Sequence, residues 1–155
     1  MFQTSENSPA SDSAKEQRAP YSIDYKIKLL SQLLSRRFHE YLESFKLTPF
    51  HWIVLCCLWE EDGLPTSSIG EKLKQVGGTL TGVIDRMEER GLVRRERNLQ
   101  DRRVWRIWLT DAGRELETIL PPIVEDIRQE AMQGFSDSDR QLFSELLNRA
   151  VANLS

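Results

Sequence analysis

The stretch RRERNLQDRRVWRIWLT, Arg94 to Thr110, gathers Arg94, Arg95, Arg97, Arg102, Arg103 and Arg106 against only Glu96 and Asp101. It therefore carries a net charge of +4 in a chain of formal net charge −3, and the rest of the molecule carries −7. Its period is two. Trp105, Ile107 and Leu109 alternate with Val104, Arg106 and Trp108, the mark of a half-buried strand. VRRER before it reads as the antiparallel partner, and the polar NLQDR as the turn between them. Two strands alone are marginal, so this hairpin must lean on helices.

Those helices lie on both sides. Immediately upstream, TLTGVIDRMEER reads as a helix closed by Gly91 at its C-terminal turn. Leu80, Val83, Ile84 and Met87 form its inner face; Thr79, Thr81, Gly82, Asp85 and Arg86 lie off that face. Before it, the spacing predicts a short helix over 66–75, with Ser68 and Glu71 as a capping box or Thr66 as a rival cap. Gly77 and Gly78 make the break. Further upstream, Thr48 and Pro49 are an N-cap and a first helical residue for HWIVLCCLWEED, which Gly63 and Pro65 end. Over 22–46, Ile23, Ile27, Leu30, Leu34, Phe38, Tyr41 and Phe45 recur at helical spacing. Leu29, Leu33 and Leu42 widen the stripe beyond what one neighbour covers.

Downstream of the hairpin, Thr110 is an N-cap for a helix to about Gly134. Leu116, Ile119, Leu120, Ile123, Val124 and Ile127 form its stripe. Pro121 and Pro122 in its middle predict a kink or break. Ser136 and Asp139 cap a last helix carrying Leu142, Phe143, Leu146, Leu147, Val151 and Leu154. Residues 1–20, polar and serine-rich, read as a flexible tail.

The chain has 155 residues, 39% of them hydrophobic and 29% charged, an ordinary composition for one domain or for a core shared between protomers. No apolar run approaches the ~20 residues of a membrane helix, and the N-terminus does not read as a signal peptide, so a cytoplasmic location is expected. A pI near 5.5 argues against indiscriminate nucleic-acid binding but not against a local basic patch. Cys56 and Cys57 are adjacent and are the only cysteines. They read as small apolar residues of a buried helix, since a thiol sensor needs a lowered pKa or exposure. No metal-ligand spacing, phosphate loop or nucleophile–base set is found, so neither metal, cofactor nor enzymatic activity is expected.

Helix–helix–helix–hairpin across 48–110 is the order of a winged helix-turn-helix. In such a unit the helix at 79–90 enters a DNA groove and the hairpin is the wing. Guanidinium groups suit phosphates and the narrow minor groove. The segments LTPFHWIVLCCLWE, GTLTGVIDRMEERGLVRRE and DRRVWRIWLTDAGRELE resemble the MarR family of bacterial transcription regulators over about 21–155. Asp101, Arg102 and Arg103 match that family's DRR. Asn98 stands where many members have an acid, and Gly82 where many have a larger polar or basic residue.

The resemblance implies a mainly α fold with a small β-hairpin wing. Residues 21–47 and 111–155 would form a helical dimerisation region, and 48–110 the DNA-binding domain. It implies a homodimeric regulator, a ligand- or stress-responsive repressor, acting on a pseudo-palindromic site in double-stranded DNA. Candidate DNA contacts are Thr79, Thr81, Gly82, Arg86, Arg94, Arg102 and Arg103, with Arg103 or Arg102 alternatively tied to Asp101 to shape the turn. The family's pocket for small aromatic or phenolic effectors would fall near His39, Tyr41, His51 and Trp52, residues that also suit a plain core. A different class of reading is a winged helix used for protein–protein docking without DNA.

Overall fold

The computed structural model describes residues 9–155. Seven helices and three short strands follow one another: α1 (Pro9–Glu16), α2 (Ile23–Glu43), α3 (Pro49–Glu60), β1 (Leu64–Pro65), α4 (Thr66–Gln75), α5 (Leu80–Glu89), β2 (Val93–Arg97), β3 (Trp105–Leu109), α6 (Asp111–Ala131) and α7 (Asp137–Leu154). The fold is mainly α with a small antiparallel sheet. The tail reading needs correction over α1, where Pro9 occupies the first helical position and a two-turn helix forms. For residues 1–8 that reading lies outside the described residues.

Side-chain caps set the starts of three helices. The Thr48 hydroxyl accepts from the His51 N–H, and His51 Nδ1 accepts in return from the Thr48 N–H, a reciprocal box at the start of α3. Ser136 and Asp139 make the same exchange at α7. Thr110 accepts from the Gly113 N–H at α6, and Gly91 takes φ 67° after α5. At α4 neither Ser68 nor Thr66 caps. Pro65 holds the cap position because the chain enters α4 directly from a strand.

That strand is the second correction. The hairpin is a three-stranded sheet in the order β1-β3-β2. Leu64 pairs with Ile107 and Pro65 with Arg106. A two-residue strand has no periodicity to read. It is held from outside: the Arg106 guanidinium donates to the Gly63 carbonyl at 2.7 Å, and Asp62 accepts from the Leu109 N–H at 2.8 Å.

The core lies where the sheet meets three helices. Val54, Leu55 and Leu58 of α3, Ile69 and Leu73 of α4, Ile84 and Met87 of α5, and Val93, Ile107 and Leu109 of the sheet are all buried. The first turn of α6 is fastened to this body. Trp59 Nε1 donates to the Gly113 carbonyl at 3.0 Å, and Arg114 bridges Asp62 at 2.8 Å. Gly113 itself lies where a Cβ would overlap the Leu92 carbonyl.

α6 continues as helix through Pro121 and Pro122, so of the expected kink or break no break occurs. Each proline withholds an N–H, so the carbonyls of Glu117 and Thr118 lose their usual donor. Both residues are exposed, so water can take those carbonyls. Farther along, Val124 and Ile127 are buried, and Arg37 of α2 bridges Glu130 at 2.8 Å. α7 differs from every other long helix, since it has no buried residue.

Candidate nucleic-acid interface

α5 is positioned at both ends. Its start follows the turn at Gly77 and Gly78. Its C-terminal Arg90 donates to the carbonyls of Phe45 and Lys46, at the end of α2. With Leu80, Ile84 and Met87 turned inward, the helical period puts Gly82, Asp85 and Glu89 along the outermost line. Thr79 and Arg86 flank that line on one side and Thr81 on the other. Thr79, Thr81, Gly82 and Arg86 are all exposed. Arg86 makes no ion pair among the described residues. Nothing lies within 4 Å of where a Gly82 side chain would start, so the helix face is open there.

The arginine cluster divides by strand face. Register places Arg95 beside Ile107 and Arg97 beside Trp105, continuing the inner face, while Arg94 lies beside Trp108 and Glu96 beside Arg106. Arg95 turns back to α5, where its guanidinium meets Asp85 and Glu88. Its backbone N–H also donates to Glu88 at 2.9 Å. Arg97 lies over the Trp105 ring, 4.1 Å from its centroid, and donates to the Arg102 carbonyl. Arg94 pairs with Glu96 and leans on Trp108. Arg106 holds Gly63. Four of the six arginines thus brace the fold.

The other two stand at the wing turn. Arg103 is tied to Asp101 at 3.2 Å with its side chain 92% exposed, and the Asp101 carboxylate also accepts its backbone N–H. These bonds hold the Asp101 carboxyl below the usual carboxylate range. The alternative of a turn-shaping salt bridge is therefore present, and it leaves the guanidinium in solvent. Arg102 has no side-chain partner among the described residues. Sequence reasoning missed the pairing of Arg95 with Asp85 and Glu88. Its only signal is the 3-residue spacing of two acids on the side of α5 next to the wing.

The MarR family profile matches residues 47–105, from the turn before α3 to the start of β3. The HTH-type transcriptional regulator TtmR of Methylorubrum extorquens is 37% identical over 102 residues, covering 63% of this chain and 52% of that protein. A MarR transcriptional regulator from Methanosarcina mazei superposes with a TM-score of 0.76 at 26% identity, over 84% of this chain and 94% of that one. Over residues 47–105 the chain matches the MarR family, and it shares the fold of MarR regulators. That family's members are transcriptional regulators and not enzymes. The chain spans about half the length of TtmR. At 22% identity the S. aureus MepR–DNA complex shares the fold, with a TM-score of 0.76 over 85% of this chain and 98% of that one.

The four pocket candidates do not come together. Trp52 lines an apolar cavity of about 550 Å³ between α2, α3 and α7, with Ile27, Leu34, Phe38 and Phe143. His39 and His51 line a separate cleft of about 460 Å³ beside Thr79, Gly82 and Arg86 of α5. Tyr41 lines neither and is 45% exposed. Cys56 and Cys57 are half-buried. Burial pushes the Cys56 thiol up to about 11 and raises Cys57 as well, so at neutral pH both are thiols and poor nucleophiles. Among the described residues no cluster could hold a metal ion, and no helix is long and apolar enough to cross a membrane.

His51 has a capping role and is 3% exposed. Burial, then Arg90 and Arg86, hold its pKa below the ordinary value. The unfolded chain therefore takes the proton first, near pH 6.5. The stability that the neutral imidazole contributes is complete above that pH and is lost as pH falls through the folded value. The melting temperature should drop between about pH 7 and 5.5 more steeply in the wild type than in His51→Gln. The Gln amide oxygen can still accept from Thr48 and does not titrate. Parallel pH curves for the two proteins would remove His51 as the cause.

Proposed function

We propose that the protein is a homodimeric, effector-responsive repressor that binds a pseudo-palindromic site in double-stranded DNA in the cytoplasm. Residues 48–110 form the DNA-binding part, with α5 in the major groove and the wing turn against the minor groove. The division of the arginines carries this reading. Four brace the fold, while Arg102 and Arg103 remain at the turn with exposed guanidinium groups. Thr79, Thr81 and Arg86 are the base- or phosphate-facing side chains of α5, and Gly82 lets the backbone approach. Arg94, engaged by Glu96, is a phosphate contact only if it exchanges partners.

Residues 21–47 and 111–155 form the dimer. Ile23 is 74% exposed, Ile27 48%, Leu146 48% and Val151 65%, an apolar face on α2 and α7 that one chain leaves uncovered. A second copy, related by a two-fold axis, covers it and sets two α5 helices about one DNA turn apart. The apolar cavity beside Trp52 is the effector seat. Its size suits a small aromatic or phenolic acid, and Lys26 is the cation on its wall. An effector induces by favouring the spacing of α5 helices that does not fit DNA.

Duplex binding measured across salt tests the reading. Arg103→Ala should weaken binding to operator and unrelated DNA alike and lower the salt slope by about one ion per lost phosphate contact. Thr81→Ala or Arg86→Ala should cost about 1–3 kcal/mol on the operator if a base contact is lost, with little change on random DNA. Binding insensitive to salt and to all three changes would point instead to a protein-docking wing.

A further inference from the structure

Leu99 is 95% exposed, and it stands apart from the apolar face of α2 and α7. It lies in the wing turn, which the fold closes tightly on either side of it. The Asn98 side-chain oxygen accepts from the Gln100 N–H at 3.0 Å, and the Asn98 N–H donates to the Val104 carbonyl at 2.9 Å. Asp101 accepts from the Arg103 N–H, and the Arg97 guanidinium, resting on Trp105, grips the Arg102 carbonyl. The turn therefore spends its polar groups on holding one shape, and the side chain inside that shape buries nothing. Leu99 adds no core contact, and solvent is a poor surrounding for it.

Two exposed guanidinium groups follow it within four residues: Arg102, with no side-chain partner among the described residues, and Arg103, tied to Asp101 with its side chain 92% exposed. A surface that takes both kinds of group must offer anionic oxygens beside apolar carbon. The minor groove does: phosphates line its rims, and deoxyribose carbons and base edges form its walls and floor. We propose that Leu99 is the apolar tooth of the wing. It enters the minor groove between the arginine contacts and packs on sugar carbons or at a base step. This adds a selectivity that needs no hydrogen bond, for sites whose flanks carry easily unstacked pyrimidine–purine steps such as TA and CA. The inference rests on the wing-on-DNA reading above.

The test uses the full chain and the DNA fragment it retains most tightly from a random pool. Leu99→Ala, Leu99→Gln, Leu99→Met and Arg102→Ala are compared over a range of salt, with melting curves for each. Leu99→Ala and Leu99→Gln should weaken binding roughly fivefold to tenfold with the slope of log K against log salt unchanged, since an apolar contact releases no counterion. Leu99→Met should bind like wild type. Arg102→Ala should weaken binding and flatten the slope. The preference of wild type for a TA or CA step under the wing should be lost in Leu99→Ala. If Leu99→Ala binds like wild type while Arg102→Ala does not, the leucine inference is wrong and the wing reading stands. If Leu99→Ala flattens the slope as Arg102→Ala does, Leu99 acts only by placing arginine, and the inference is again overturned. If neither change matters, the wing is not on DNA and both fail together.

Discussion

Gly113→Ala is expected to lower the melting temperature by roughly 10 °C, because one methyl group has nowhere to go. Gly113 is the third residue of α6 and is buried. Its Cβ would fall on the Leu92 carbonyl oxygen, a backbone atom that already accepts from the Thr110 N–H at 3.0 Å. Gly113 also donates to the Thr110 hydroxyl and accepts from Trp59. The clash cannot be relieved by a rotamer change. Either β2 or the start of α6 must move, and both are bonded to the core. Overpacking of this kind costs about 3 kcal/mol, and in a chain of this length each kcal/mol is worth about 3 °C. A melt within 2 °C of wild type would show that α6 is seated more loosely than its bonds indicate.

Leu146→Asp should convert the proposed dimer to monomer at micromolar concentration. Leu146 is 48% exposed in one chain and lies on α7, none of whose residues is fully buried within it. A two-fold interface contains the substitution twice, so each association would bury two unpaired carboxylates. A loss of about 4 kcal/mol raises the dimer Kd about a thousandfold. Sedimentation velocity on wild type and variant decides the matter, with circular dichroism to confirm that the helices persist. Operator binding should fall with the dimer, because a single α5 meets only one half-site. A wild type that sediments as a well-folded monomer would remove the premise.

The sequence made the helix order legible because the deciding signals are local. Thr48 with Pro49, Thr110, and Ser136 with Asp139 each act within four residues, and each caps where its side chain indicates. β1 was not legible, since Leu64 and Pro65 become a strand only through β3, whose Arg106 holds Gly63 and whose Leu109 donates to Asp62, each across more than 40 residues. Of the kink or break expected at Pro121–Pro122 the break did not form, because packing of Leu120, Val124 and Ile127 on one side outweighs two missing hydrogen bonds on the other. The arginines were visible as a cluster but not as a division of labour. Asp85 and Glu88 belong to another element, and nothing in the spacing of β2 tells that Arg95 will turn toward them while Arg102 will not. His51 was read as a pocket candidate from its place at the family's helix junction, whereas its side chain closes the capping box of α3.

The two prolines of α6 give the molecule a soft joint. A helix resists flexing through its ladder of N–H···O=C bonds, and here two successive rungs are absent. Toward one end the helix is clamped by Trp59, Asp62 and Leu92 to the body that bears the wing; toward the other it is clamped to α2 through Ile127 and Glu130. Flexure between the clamps severs no backbone bond at the joint, so elastic compliance is concentrated at one point of an otherwise stiff rod. Small rotations between the two clamped bodies are cheapest there, and an α6 with alanine at 121 and 122 would be the stiffer spring.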